Sequence, residues 1–67
     1  MIFVHQLTEE QAQSLIGAEF VEDNYFNPIE DADGNYVISI EEVEQTSIEW
    51  VKSLPLIEYK PILTPEL

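Results

Sequence analysis

A dense run of turn-forming residues at positions 31–35 (DADGN) lies between two segments that favour β-structure. Residues 25–29 before it (YFNPI) and residues 36–38 after it (YVI) are aromatic and aliphatic, which is typical of strands. Asp and Asn side chains stabilise turns, and Gly34 supplies the positive φ that a tight turn needs. The pattern therefore predicts a β-hairpin. Pro28 has no N–H to donate, so we expect its strand to lie at a sheet edge or at a bulge.

The N-terminal segment predicts a short strand followed by a short helix. Residues 1–7 contain the apolar run IFV, which favours a strand. Thr8 and Gln11 then fit a capping box, in which each side chain bonds the backbone N–H of the other residue. Gly17 favours the left-handed conformation that ends helices. A helix this short depends on packing for its stability.

Residues 39–54 predict a longer second helix. Ser39 and Glu42 fit another capping box, and Pro55 ends the helix at or before Leu54. At about 100° per residue, one side of this helix is mostly apolar and carries Ile40, Val43, Ser47, Trp50, Val51 and Leu54. Trp50 falls near the middle of that side. We therefore predict that Trp50 lies in the core, where truncation to Ala should cost about 3–5 kcal/mol.

These segments together predict an α+β domain over residues 1–54. The N-terminal strand and the hairpin would form a small antiparallel sheet packed by the two helices. The tail, residues 55–67, contains prolines at 55, 61 and 65 and cannot form a helix. We expect an extended tail in which residues 56–60 are able to add a fourth strand.

The charge balance restricts the classes of function. Fourteen Asp and Glu residues against two Lys give a formal net charge of −12. Binding to nucleic acid or to anionic lipid needs basic residues, so we expect neither a direct nucleic-acid partner nor a membrane partner. The sequence has no Cys, which excludes disulfides and thiolate metal sites. No apolar run approaches the ~20 residues of a membrane span, and no leader peptide is recognisable, so we expect an intracellular protein.

The sequence does not indicate an enzyme. Its single His, His5, has no sequence-defined partner and is expected to be exposed or partly buried on an edge strand. Glu41 and Glu42 are adjacent in the second helix and point about 100° apart, so they do not form a catalytic carboxylate pair. The two glycines, Gly17 and Gly34, are too far apart for a phosphate-binding loop. We therefore predict no catalytic residue and, calcium excepted, no cofactor.

Residues 31–42 resemble the calcium-binding loop of EF-hand proteins. The resemblance implies metal ligands at loop positions one, three, five and twelve, namely Asp31, Asp33, Asn35 and Glu42. The sixth position departs from the family because it holds Tyr36 where the loop needs Gly. Pro28 also lies where an entering helix should still be running. We favour a plain hairpin and keep a calcium-binding module as an alternative.

Three stretches of the chain resemble short uncharacterised proteins encoded by bacteriophages and prophages. They are LTEEQA at residues 7–12, FNPI at 26–29 and DGNYVIS at 33–39. The resemblance implies a virion accessory component or a protein that binds a host factor. The implied location is the virion or the cytoplasm of a host cell. It implies no functional residue.

The unexplained carboxylates and the apolar tail indicate a non-catalytic protein that binds another protein. Some carboxylates have local roles at helix starts or in the turn, but the rest exceed what solubility requires. The alternative for these remaining carboxylates is an ordinary solvated acidic surface. We predict that the partner contacts Glu44, Glu49, Leu56, Ile57, Glu58, Tyr59, Ile62 and Leu63. The tail could dock on its own domain, on a partner or on a second copy, which would give a homo-oligomer. The alternative function is a DNA mimic that inhibits a nucleic-acid-binding enzyme.

Overall fold

The computed structural model describes residues 1–62 of the protein. Its elements in chain order are β1 (Phe3–Leu7), α1 (Glu9–Leu15), β2 (Glu19–Val21), β3 (Asn24–Tyr25), β4 (Ile29–Glu30), β5 (Tyr36–Ser39), α2 (Ile40–Gln45), a 3₁₀ helix (Glu49–Ser53) and β6 (Leu56–Glu58). Four strands form an antiparallel sheet in the order β4-β5-β1-β6, and β2 pairs with β3 separately. The predicted α+β fold is confirmed.

The N-terminal strand β1 lies inside the sheet and is paired on both of its edges. His5 lies opposite Ile38 of β5 on one side and opposite Leu56 of β6 on the other. The Nδ1 atom of His5 lies 3.0 Å from the carbonyl oxygen of Leu54. The expectation that His5 lies on an edge strand is therefore wrong, because β6 covers that edge of β1.

The tail begins as a strand of this sheet. The N–H of Gln6 donates to the carbonyl of Pro55 at 2.9 Å, and the N–H of Tyr59 donates to the carbonyl of Ile2 at 2.7 Å. These two bonds extend the pairing of β1 with β6 beyond both ends of β6. The fourth strand predicted for the tail is thus present at Leu56–Glu58.

Helix α1 begins with the predicted capping box. The N–H of Gln11 donates to Thr8 Oγ1 at 3.1 Å, and the N–H of Thr8 donates to Gln11 Oε1 at 2.9 Å. Ala12 and Leu15 are the buried residues of the helix. Gly17 follows with a φ of 83°, so the sequence signals at both ends of this helix act as predicted.

The predicted hairpin is present, with a shorter first strand than expected. β4 and β5 flank a turn in which Gly34 has a φ of 81°. Pro28 immediately precedes β4, which is an edge strand as expected. Residues 25–29 do not form one strand, because Tyr25 pairs with β2 while Phe26 is buried. The Phe26 ring lies 5.6 Å from the ring of Phe20, centroid to centroid, at 60°.

The prediction of one continuous helix over residues 39–54 is wrong. Helix α2 ends at Gln45, Thr46 is extended with φ −71° and ψ 150°, and a separate 3₁₀ helix follows at Glu49–Ser53. The last turn of α2 has no basic residue to oppose the helix dipole. Thr46 and Ile48 are β-branched, and Thr46 Oγ1 accepts the Ile48 N–H at 3.1 Å in place of helical bonding.

Because of this break, Trp50 lies outside the core. Trp50 is 39% exposed, whereas the next residue, Val51, is fully buried. The prediction of a core Trp50 is therefore wrong, because it assumed a helical phase that does not continue across Thr46. Truncation of Trp50 should accordingly cost less than the value expected for a core aromatic residue.

The hydrophobic core lies between one face of the sheet and the helices. Its buried members are Leu7, Ala12, Leu15, Phe26, Ile38, Val43, Val51 and Leu54. Both helices and the 3₁₀ helix contribute to this cluster, so the core joins elements that are far apart in the sequence. Burial of these side chains is the main favourable term in the free energy of folding.

Lys52, in the 3₁₀ helix, places its ammonium group at the C-terminus of α2, whose last turn has no basic residue of its own. Its Nζ atom lies 3.4 Å from the carbonyl oxygen of Val43 and 3.3 Å from that of Glu44. These carbonyls belong to the last turn of α2, where backbone acceptors have no helical partner. The Lys52 side chain therefore links the 3₁₀ helix to the C-terminus of α2 through these two hydrogen bonds.

Replacing Lys52 by Met should lower the free energy of unfolding by about 1 kcal/mol, because the contact with the α2 terminus is lost. Lys60→Met is the matched control. It removes the same charge from a 3.6 Å ion pair with Glu58 in which both side chains are about half exposed. That change should cost less than about 0.5 kcal/mol. Urea denaturation compares the two variants, and equal losses would contradict the role given to Lys52.

Candidate functional site

A surface groove of about 630 Å³ lies where the end of β1, the start of α1 and the 3₁₀ helix meet. Its lining residues are Gln6, Leu7, Thr8, Gln11, Trp50, Ser53, Leu54 and Pro55. Trp50 is the single aromatic side chain of this lining and is exposed because α2 ends before it. We call this feature the Trp50 groove. It combines one large apolar ring with amide and hydroxyl groups, which is a composition found in ligand-binding clefts.

The polar side chains of the Trp50 groove are partly committed to the fold. Gln6 Nε2 donates to Asn35 Oδ1 at 3.0 Å, which ties β1 to the hairpin turn. Gln11 Oε1 accepts the Thr8 N–H in the capping box. Both amides are thus held in place. Gln6 lies opposite Val37 in the sheet, so its side chain is on the face away from the core. The Ser53 hydroxyl lines the groove and makes no side-chain hydrogen bond within residues 1–62.

The face of the sheet that points away from the main core carries a second, more apolar groove of about 280 Å³. Its lining residues are Ile2, Val4, Asn27, Ile29, Val37, Ile38, Ser39, Glu42 and Tyr59. Val37 has no exposed surface and Val4 is 8% exposed, although neither belongs to the main core cluster. Side chains alternate along strands, so these valines lie on the face opposite the core residue Ile38. The sheet is therefore apolar on both faces.

The predicted partner-binding residues lie on different elements. The carboxylates Glu44, Glu49 and Glu58 are exposed on α2, the 3₁₀ helix and β6 respectively. A partner contacting all three would therefore have to span three elements of the fold.

The apolar members of the predicted set are exposed to different degrees. Leu56 is 54% exposed and Ile62 is 62% exposed, whereas Ile57 and Tyr59 are half-buried. Leu56 and Ile57 point to opposite faces of the sheet because they are adjacent in a strand. Leu63 lies outside the described residues. Trp50, which the helical periodicity assigned to the core, is an exposed aromatic residue that the predicted set does not include.

Asp31 is a buried carboxylate that organises the hairpin turn. It is 2% exposed, and its Oδ1 atom accepts the N–H of Asp33 at 3.0 Å and that of Asn35 at 2.9 Å. The backbone N–H of Asp31 also donates to the Asn35 carbonyl at 2.8 Å. Its other oxygen, Oδ2, is buried and has no hydrogen-bond partner within residues 1–62. The turn therefore depends on one atom of this side chain.

The other predicted calcium ligands are engaged differently from those of an EF-hand loop. Tyr36 holds the loop position where an EF-hand needs Gly with positive φ, but it is the first residue of strand β5. Within residues 1–62 the one non-glycine residue with positive φ is Asp23, which lies outside this loop. Glu42 Oε1 accepts from Ser39 Oγ at 3.0 Å, and Glu42 Oε2 accepts from the Asn27 N–H at 3.3 Å.

The side-chain arrangement adds no support for calcium. Among residues 1–62, no group of three or more His, Asp or Glu side chains is placed to hold a metal ion. Asp31, Asp33, Asn35 and Glu42 therefore stay a predicted ligand set whose only support is the sequence pattern.

Comparisons with protein-family models, with curated proteins and with solved structures find no significant match to this chain. No helix within residues 1–62 is long and apolar enough to span a membrane.

Asp31→Ala should lower the free energy of unfolding by about 2–4 kcal/mol, because two backbone N–H groups lose a charged acceptor. Asp33→Ala is the matched control, since it removes one carboxylate from an exposed position in the same turn. That variant should change the free energy of unfolding by less than about 0.5 kcal/mol. Urea denaturation measures both values, and similar losses in the two variants would show that Oδ1 of Asp31 does not organise the turn.

Proposed function

We propose that this protein is a non-catalytic acidic binding protein whose partner is a protein with a basic surface. The observation that carries the proposal is that both cationic side chains are already engaged within the molecule. Lys52 contacts the carbonyls at the end of α2, and Lys60 pairs with Glu58 at 3.6 Å. Every other carboxylate within residues 1–62 lacks an ion pair, so the net charge of −12 is left largely uncompensated at the surface.

This charge favours a basic partner over a second copy of the chain. An uncompensated field of one sign attracts oppositely charged proteins over long distances and raises their association rate. Two copies, each with a net charge of −12, would repel one another at the ionic strengths where that attraction is greatest. A basic surface on another protein is therefore the partner that fits the electrostatics best.

Exposed apolar side chains would supply the centre of such an interface. Trp50, Leu56 and Phe3 are each at least 39% exposed, and all lie near carboxylates in the sequence or across the sheet. Protein interfaces commonly combine an apolar centre with a polar rim. Charge would then direct the encounter, and burial of these side chains would prolong the complex.

A DNA mimic is a narrower form of the same function. Its partner would be a nucleic-acid-binding enzyme whose basic groove accepts carboxylates in place of phosphates. The exposed, unpaired carboxylates support this candidate because they are free to occupy such a groove. In a bacteriophage setting, the same chemistry would suit a virion accessory component or a protein that blocks a host factor in the cytoplasm.

Affinity capture from a bacterial lysate, followed by identification of the retained proteins, tests the proposed function. Proteins retained at about 0.1 M NaCl should be predominantly basic and should dissociate as salt weakens the charge attraction. Predominantly neutral or acidic proteins that stay bound at about 1 M NaCl would contradict the proposal. A triple variant, Glu44→Gln, Glu49→Gln and Glu58→Gln, should retain less of the basic partner than the parent does. Release of the partner by added duplex DNA would favour the DNA mimic.

A further inference from the structure

Strand β6 is the open edge of the four-stranded sheet. Within residues 1–62 it pairs with β1 alone. The other edge strand, β4, has two residues and follows Pro28, which has no N–H to donate. An edge strand presents unpaired backbone N–H and C=O groups, to which another chain can bond. The sheet is therefore able to accept a further strand at β6.

The backbone groups of Leu56 and Glu58 point away from β1. Along an antiparallel pair, residues that exchange hydrogen bonds alternate with residues that do not. The Pro55 carbonyl and the Tyr59 N–H both bond to β1, at 2.9 Å and 2.7 Å, so the bonded positions of this segment are 55, 57 and 59. Leu56 and Glu58 alternate with these positions. Their N–H and C=O groups are thus left for a chain on the outer side of β6.

The open stretch of this edge is short. The carbonyl of Lys60 accepts the N–H of Ala32 at 2.8 Å, so the hairpin turn already bonds the chain just after β6. Leu56 and Glu58 between them offer two N–H donors and two C=O acceptors. An extended backbone in antiparallel register completes this pattern.

The side chains along this edge are apolar and acidic. Phe3 lies opposite Glu58 and His5 opposite Leu56, so Phe3, Leu56 and Glu58 share one face of the sheet. Leu56 is 54% exposed and Phe3 is 43% exposed. The Glu58 side chain is 43% exposed and pairs with Lys60 at 3.6 Å, and ion pairs as exposed as this one are weak in water. An incoming strand therefore meets an apolar position at Leu56 and a carboxylate at Glu58.

We propose that an extended segment of the basic partner adds to β6 as a fifth, antiparallel strand, an inference that rests on the proposed function. Its backbone exchanges hydrogen bonds with Leu56 and Glu58. An apolar side chain of the segment covers Leu56 and the neighbouring Phe3. A Lys or Arg two residues before that side chain lies opposite Glu58, where opposite charges on paired strands attract.

The charge of the chain argues against a second copy as the added strand. Two copies would bring together net charges of −12, and the sequence contains two Lys and no Arg. Lys52 contacts the end of α2, and Lys60 already lies beside Glu58 in its own chain. A different protein is therefore the better source of a cation opposite Glu58.

An acetylated and amidated heptapeptide, Lys-Thr-Lys-Thr-Val-Thr-Lys, tests the proposal. Its second Lys and its Val are spaced to lie opposite Glu58 and Leu56. Calorimetry with the intact protein at low salt should detect binding, and NMR spectra should show shifted Leu56 and Glu58 amides that exchange more slowly with solvent. The matched control peptide carries N-methyl groups on the same Lys and Val, which keep its charge and remove two backbone donors. Its affinity should be about tenfold lower or weaker still.

A pair of substitutions separates the edge from the overall charge. Glu58→Gln should weaken binding of the unmethylated peptide several-fold, because the carboxylate opposite the Lys is lost. Glu22→Gln is the matched control, since it removes one carboxylate from the exposed turn between β2 and β3. It should have a much smaller effect on the affinity.

Equal affinities for the two peptides, or equal effects of the two substitutions, would overturn the strand addition and leave the proposed acidic binding function standing. Failure of both peptides to bind would also overturn it, whereas the proteins retained from the lysate decide the proposed function separately. Slow exchange of the Leu56 and Glu58 amides in the free protein would contradict an open edge. If that protection is independent of protein concentration, the edge is covered by its own chain, and if it grows with concentration, by a second copy.

Discussion

Pairing of the N-terminal strand on both edges is the constraint on which the rest of the structure depends. β1 joins β5 on one side and the C-terminal strand β6 on the other. Without β6 the sheet would have three strands, and β1 would be an edge strand with unpaired backbone groups. The same pairing places Pro55 beside Gln6 and so forms one wall of the Trp50 groove. The candidate site and the sheet therefore form together.

The excess of carboxylates affects local structure as well as the surface. Acidic residues at the starts of α1 and α2 interact favourably with the helix dipoles, whereas the end of α2 has no basic residue of its own. Lys52 supplies that charge from the following 3₁₀ helix. One of the two cations is thus used to join elements, and the other forms an exposed ion pair. Little positive charge is left to neutralise the surface, which is the basis of the proposed function.

Features encoded by neighbouring residues could be predicted from the sequence. The Thr8–Gln11 capping box, the helix stop at Gly17 and the hairpin turn at Gly34 depend on local backbone chemistry, and each is present. The fourth strand was predictable as an extended segment because prolines exclude a helix in the tail. Its place beside β1 was not predictable, since pairing between the two ends of the chain leaves no local signal.

The exposure of Trp50 was mispredicted because helical periodicity says nothing about where a helix stops. A continuous apolar stripe placed Trp50 in the core, but the chain leaves the helix at Thr46, which is extended. Thr46 is β-branched and its hydroxyl accepts the Ile48 N–H, so this residue was the signal in the sequence that could have indicated the break. The buried state of Asp31 was not predictable, because Asp in a turn-rich segment is usually exposed.

Native-state hydrogen exchange at the Gln6 amide is the most direct test of the double pairing of β1. This N–H donates to the Pro55 carbonyl across the boundary between β1 and the tail. The structure predicts that it exchanges only through global unfolding, with the same opening free energy as the slowest amides of β5. Exchange of the Gln6 amide at a nearly unprotected rate, while the β5 amides remain protected, would show that β6 does not complete the sheet.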